Sequence, residues 1–406
     1  MILLSGADLV LPDRIVSGGS IVIEDDKITD VLHGTHQVGP DALHFDLPHH
    51  YIVPGFIDVH VHGVEGIDAL DSASSIGAMA ERLPKYGVTA FCPTSIACAP
   101  DRLRSMLAAV RVARTTRPPG GARVLPAHLE SNFINPEYKG AQPLECIRTP
   151  SSAAGDRSRR DEGESSPFWS GQDILDEIAA ARPDVGIVTL APELNGALDL
   201  IRDLVAHGHH VSLGHSGASY EEALEGVKAG ARHATHLFNR MTPMAHRAPG
   251  LTGAVLESDD LIAELVCDGV HVHPAVMRTA LAAKRPERVM AITDGTAGSG
   301  LERGARTRIG GRPISVRDAA YLEDGTIAGS VLTMDRAFAN LIARTGLSLV
   351  DAAVVCSTTP ARAVGLQGFG VIAAGATADL VVLDRELRVA QTWISGSLAY
   401  DAPGRQ

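Results

Sequence analysis

Residues 51–63 read YIVPGFIDVHVHG, an apolar run broken once by Pro54-Gly55 that ends on His60-Val61-His62 and a glycine. In an extended strand, alternate side chains share a face. The two imidazoles therefore point the same way and offer half of a metal site at a strand end. An HxH pair alone is a common surface or core feature. For this pair to hold a metal, further ligand-type residues must stand at the ends of other strands.

Working outward, the middle of the chain alternates short apolar runs with amphipathic stretches. Strand candidates are 52–62, 87–95, 122–130, 185–193, 209–216, 231–238, 262–269 and 288–295. Helix candidates between them include 74–87, 101–113, 173–183, 197–208, 219–230 and 274–286, several ending in Gly as helix C-termini do. Eight strands separated by helical or looped segments fit a (β/α)₈ barrel of the TIM type. A doubly wound sheet would carry a Gly-rich turn after its first strand, and none is present. Both chain ends instead alternate apolar and polar residues with turn signals at Gly18-Gly19 and Asp25-Asp26, and read as strands of one small β domain built from both termini. Residues 149–171 are polar and rich in Ser and Gly, and read as a long surface loop.

A chain of 406 residues that is 45% hydrophobic can bury a large core. A net charge of −12 without any basic tract argues against nucleic acid or an anionic membrane as partner. The five cysteines are odd in number and form no CxxC, which suits reduced thiols in a cytoplasm. The N-terminus lacks a basic region, Asp8 interrupts its apolar residues, and no apolar run approaches the roughly 20 residues of a membrane helix.

Barrel enzymes place their chemistry at the C-terminal ends of strands. Read in order, those ends carry His60 and His62, then Glu130, His215, His236 and Asp294. All are ligand types for divalent ions, zinc first, with iron, manganese or cobalt as alternatives. His60 and His62 can hold one ion, His215 and His236 a second, and Glu130 can bridge them. Two such ions acidify a water and polarise a carbonyl. A carboxylate beside that water, Asp294, can take its proton and pass it to a leaving amine. A second HxH, His271 and His273, lies in a loop before Pro274, where a substrate-facing or structural role is expected.

The segments PGFIDVHVHG, HLESNFINPEYKGA, TLAPE, GHSGASYEEA, THLFNRM, DGVHVHP, ITDG, AGSVLTMDRA and TTPARAVGL follow one another along nearly the whole chain. In that order they resemble the N-acetylglucosamine-6-phosphate deacetylase family of the amidohydrolase superfamily. The resemblance implies a barrel over 52–358 and a small β-sandwich from 1–51 and 359–406, in a homodimer. It implies hydrolysis of N-acetylglucosamine 6-phosphate to glucosamine 6-phosphate and acetate. Members with HxH on the first strand hold two ions, which places His60 and His62 in that group, with Glu130, His215 and His236 as shared ligands and Asp294 as acid/base. It also implies a phosphate end formed by Asn239, His271 and Arg247 of the neighbouring subunit, and a sugar-side turn at Ala328-Gly329-Ser330.

Three places depart from the family pattern. Gln142 replaces a His that helps hold the substrate carbonyl. Its amide can still donate to a developing oxyanion but cannot transfer a proton. Ser131-Asn132 replace Gly-Pro, and Arg240 replaces a small residue. These bear on the choice of substrate. They leave open a galactosamine isomer, an unphosphorylated sugar or an N-acyl amino acid, and beyond those a sugar-phosphate-binding protein without catalysis.

Overall fold

The computed structural model describes residues 1–34, 42–150 and 169–403. Most of the polar stretch expected to be a long loop, residues 151–168, lies outside them. The strands that flank it, Arg148–Thr149 and Trp169–Ser170, pair in parallel.

The opening stretch forms two strands. Tyr51–Pro54 joins the terminal sheet, and Phe56–Val61 is the first barrel strand, β1. The break falls at Gly55 because the chain there presses on the next strand. A Cβ on Gly55 would lie 2.3 Å from Thr89 Oγ1 and 2.8 Å from Thr89 Cβ. The other barrel strands are β2 (Val88–Ser95), β3 (Ala127–Leu129), β4 (Val185–Leu190), β5 (His210–Leu213), β6 (His233–Ala234), β7 (Ile262–Val266) and β8 (Val289–Ile292). They pair in parallel in chain order.

Between β8 and β1 the ring is closed by hydrogen bonds near the mouth. Asp294 N–H donates to His60 O at 2.9 Å and His62 N–H to Gly295 O at 2.7 Å. Below them the Thr293 hydroxyl donates to Asp58 Oδ2 at 2.5 Å. The eight strands thus form a (β/α)₈ barrel, as the alternation predicts.

The helices that cover it are α1 (Ser75–Arg82), α2 (Pro100–Thr115), α3 (Gln172–Ala180), α4 (Ala197–Ala206), α5 (Tyr220–Ala229), α6 (Gly250–Glu257), α7 (Pro274–Lys284) and α8 (Met334–Asn340). Local sequence sets several of their ends. Pro100 and Pro274 open α2 and α7, where a missing N–H costs nothing. Ser219 and Glu222 form a reciprocal capping box on α5. The buried faces of these helices join the strand side chains in one continuous apolar core that includes Phe56, Phe91 and Phe338. Each such fully buried large side chain contributes about 1.5–3 kcal/mol.

The strand-rich termini meet as expected. Eight strands from residues 2–54 and 380–401 form one sheet, joined where Tyr51–Pro54 pairs with Leu380–Leu383. Its apolar side chains, among them Leu4, Ile21, Ile52, Val382 and Trp393, form a separate core. Several elements have no counterpart in the sequence reading, among them α6, α8 and a three-stranded antiparallel sheet, Arg306–Ile309, Arg312–Val316 and Ala320–Tyr321, inserted between β8 and α8. Among the described residues no helix is long and apolar enough to cross a membrane.

Gly55→Ala should lower unfolding free energy by about 1–3 kcal/mol, because the added methyl overlaps a β-branched neighbour that cannot swing away. Urea denaturation checks this, and an unchanged midpoint would remove the close approach as the reason for the break.

Candidate metal centre

The six ligand-type residues expected at the strand ends lie together at the C-terminal mouth. His60 is the last but one residue of β1 and faces inward, and His62 follows one residue beyond the strand on the same side, their Nε2 atoms 3.2 Å apart. Glu130 directly follows β3. Its Oε1 lies 2.8 Å from both His215 Nε2 and His236 Nε2. Its Oε2 lies 3.4 Å from His62 Nε2. Asp294 Oδ1 is 3.2 Å from His62 Nε2 and 3.6 Å from His60 Nε2. All six are buried.

Two three-residue groups result, His60–His62–Glu130 and Glu130–His215–His236, with Glu130 common to both. The donor chemistry fits divalent ions. Imidazole Nε2 atoms face one another in pairs at 3.2 and 3.1 Å, which protons on both partners would forbid and a shared cation would favour.

Local backbone geometry aims these side chains. His215, His236 and Asp294 follow their strands with φ of 48°, 30° and 48°, in the left-handed region that only His, Asn, Asp and Gly enter with any frequency. Each bend turns a side chain off its strand line and into the mouth. The turn at His215 is braced by Glu193, which accepts from Asn135 Nδ2, Ser216 Oγ and Gly217 N. After His62 the chain passes close to the β8 loop. A Cβ on Gly63 would lie 2.3 Å from Ile67 O and 2.6 Å from Ala297 N.

The charges are strongly coupled. Burial would raise the Glu130 carboxyl, but His215, His236 and His60 outweigh it and hold it well below the usual carboxylate range. Asp294 is likewise lowered, against burial, by His62 and His60. Burial, together with His62 and His236, drives His60 down to about 3 against the pull of Asp294 and Glu130. His62 and His236 go the other way. Despite burial, Asp294 and Glu130 hold His62 up at about 9, and Glu130 does the same for His236.

A cavity of about 430 Å³ opens over the cluster. Its lining is apolar at Ile96, Ile309, Ile327 and Ala328 and polar at Asn239, Arg240 and His271. Asp268 Oδ2 lies 2.6 Å from His271 Nδ1 and raises that imidazole's pKa against burial. The second HxH diverges, because His273 caps α7 by accepting from Ala275 N at 3.2 Å. Arg247 is exposed, on a segment outside the cavity wall. Gln142 is buried at the cavity, where its Oε1 accepts from Ala97 N at 2.8 Å and its Nε2 donates to Glu130 Oε2. Ser330 N–H donates to Asp294 O at 2.7 Å, which ties the Ala328-Gly329-Ser330 turn to the acid.

Ser131 and Asn132, expected to bear on substrate choice, do not line the cavity. The Ser131 hydroxyl donates to Thr189 O, and Asn132 Nδ2 donates to Cys98 O at 2.8 Å and Cys146 O at 2.6 Å. They brace the loop beneath Gln142. Three residues at the centre escape the sequence reading: Asp58, His128 and Glu264. The visible signal is a lone charged residue inside an apolar strand, FIDVHV for Asp58 and IAELV for Glu264.

Known proteins resemble this chain along nearly its whole length. Residues 51–399 match the model of the amidohydrolase family. The chain is 33% identical to N-acetylglucosamine-6-phosphate deacetylase of Bacillus subtilis (strain 168), over 98% of this chain and 97% of the relative. It is 33% identical to N-acetylgalactosamine-6-phosphate deacetylase of Escherichia coli O157:H7, over 86% of this chain and 87% of the relative. The structure of a point mutant of the Mycobacterium smegmatis N-acetyl-D-glucosamine-6-phosphate deacetylase, in complex with N-acetyl-D-glucosamine-6-phosphate, superposes with a TM-score of 0.85 at 30% identity, covering 98% of this chain and 99% of that one. The chain belongs to the N-acetylglucosamine-6-phosphate deacetylase family of the amidohydrolases.

The raised imidazoles make metal loading proton-coupled. Below about 9, His62 and His236 carry protons that an incoming ion must displace. Affinity should therefore rise with pH and level off above about 9, with proton release at neutral pH. Calorimetric zinc titrations in buffers of different ionisation enthalpy measure that release, and a buffer-independent heat at pH 7 would contradict it.

Proposed function

We propose that this protein hydrolyses the acetamide of N-acetylglucosamine 6-phosphate, giving glucosamine 6-phosphate and acetate. The observation that carries the reading is the cavity's polarity. The cavity is lined both by a ligand cluster built on a shared carboxylate and by the cationic and amide-bearing side chains of Arg240, His271 and Asn239. That arrangement suits a substrate with a scissile amide at one end and an anion at the other. The full-length likeness to named deacetylases supports it.

Divalent ions, when bound, acidify a water and polarise the acetyl carbonyl. We assign two, zinc by preference, to the two groups that share Glu130. The chain's own residues do the rest. Asp294 is an ionised carboxylate at neutral pH, so it can accept the proton of the attacking water. As the new C–O bond forms and the C–N bond breaks, it returns that proton to the departing nitrogen. Gln142 is fixed by Ala97 and Glu130. One amide N–H is engaged by Glu130, and we assign the second to the acetyl oxygen. His271, whose pKa Asp268 raises, together with Asn239 and Arg240, takes the phosphate.

Arg247 is exposed and outside its own subunit's cavity, which fits a role across a homodimer interface toward the neighbouring phosphate end. Residues 52–358 are assigned as the hydrolase unit, and 1–51 with 359–406 as the supporting sheet unit. Five free cysteines accord with a reducing, cytoplasmic setting. The galactosamine 6-phosphate isomer is the second reading, favoured by the likeness to a deacetylase named for it.

Acetate release from phosphorylated and unphosphorylated N-acetylhexosamines tests the assignment. N-acetylglucosamine 6-phosphate should give the highest kcat/KM. A preference for the C4 epimer selects the second reading, and equal rates without phosphate would overturn both. Asp294→Asn should lower kcat by about 10²–10⁴-fold; undiminished turnover would remove Asp294 from proton transfer. Arg247→Ala should raise KM about tenfold or more with kcat kept, and an unchanged KM would end its assignment to the phosphate.

A further inference from the structure

Glu264 lies within β7, fully buried, with its side chain inside the barrel beneath the cavity floor. Its Oε2 is 2.9 Å from His60 Nδ1 and 3.4 Å from the His236 backbone N–H. Its Oε1 has no hydrogen-bond partner among the described residues. A carboxylate in such a place is costly to bury, and the strand's other positions are apolar. An apolar residue would fill the position at no such cost. The fold gives no reason for Glu264, so the reason is sought in what it touches.

The three side chains His60, His128 and Glu264 are close enough to be taken for a third metal group. The hydrogen bonds speak against that. His128 Nδ1 is 2.9 Å from Val59 O and its Nε2 is 2.8 Å from Thr189 Oγ1, so both ring nitrogens are engaged. Glu264 meets His60 on the ring nitrogen that points away from the cluster, while His60 Nε2 faces His62 and Asp294.

We infer that Glu264 is a positioning residue for His60. It accepts the Nδ1 proton across the barrel from β7 to β1, fixes the tautomer and ring plane, and leaves the Nε2 lone pair free for the ion at the His60–His62 pair. Metal-bound imidazoles commonly take such a carboxylate on the far nitrogen, and its removal typically weakens the metal about 10–100-fold. The effect is selective, because Glu264 makes no comparable side-chain contact with His215 or with the ring of His236. The inference rests on His60 being a ligand, as proposed above.

The test is a cobalt titration of the metal-free, full-length protein, followed by d–d absorbance and without substrate. His60→Asn identifies the binding step that belongs to the HxH pair. Glu264→Leu should weaken that same step about 10–100-fold and leave the other within a few-fold. Glu264→Gln, which keeps an acceptor of the same reach, should recover most of the loss. If Glu264→Leu leaves both steps unchanged while His60→Asn removes one, the inference fails and the ligand assignment stands. If His60→Asn removes neither, both fail. Equal weakening of both steps, with no recovery in Glu264→Gln, would reduce Glu264 to a general packing role and overturn the inference. Should Glu264→Leu not fold, ¹⁵N shifts of His60 in the zinc-loaded wild type decide. A proton on Nδ1 is expected, and a proton on Nε2 overturns the inference.

Discussion

The site depends on how the barrel closes. Where β8 meets β1, hydrogen bonds join the two ends of the strand ring, among them those from Asp294 to His60, from His62 to Gly295 and from Thr293 to Asp58. The residues that make those bonds are the site residues or their immediate neighbours. The first and last strands are more than 230 residues apart in sequence (Asp58 to Thr293), yet closure sets His60 and His62 beside Asp294. Parallel strands need long crossover connections, so no short segment of this chain can build the cluster alone. It forms only when the whole ring does.

Charge follows from the same convergence. The chain carries a net charge of −12, and at the mouth two carboxylates are held ionised by the imidazoles around them. The cavity above is uneven. Its lining carries Arg240 and an imidazole whose pKa Asp268 raises, so the Arg240 cation stands where an acidic protein would otherwise repel an anion. The apolar lining comes in part from the inserted three-stranded sheet, through Ile309.

Much of this was legible in the sequence. The period of two in FIDVHVHG determined that His60 and His62 face one way, and strand–helix alternation located Glu130, His215, His236 and Asp294 at strand ends. What stayed hidden was three-dimensional. The stretch 304–325 has no strong period and many charges, so its small sheet and its contribution to the cavity gave no signal. Ser131 and Asn132 bore on substrate choice as departures from the family's Gly-Pro, but their loop turns them toward buried carbonyls. His271 and His273 share a spacing with the first pair and part company because a helix begins between them and Ala275. Glu264 was visible as an isolated charge in an apolar run, but nothing in the linear order ties it to a residue 204 positions earlier.

The left-handed turns at His215, His236 and Asp294 have one more consequence. A residue held in that region stores backbone strain of order 1–3 kcal/mol, and here the same torsions that strain the chain aim the side chains that could hold an ion. Thermal tolerance and chemistry are therefore governed by a common set of angles. Variants selected only for robustness would tend to drift toward glycine at these three sites, relaxing the scaffold while disarming the mouth.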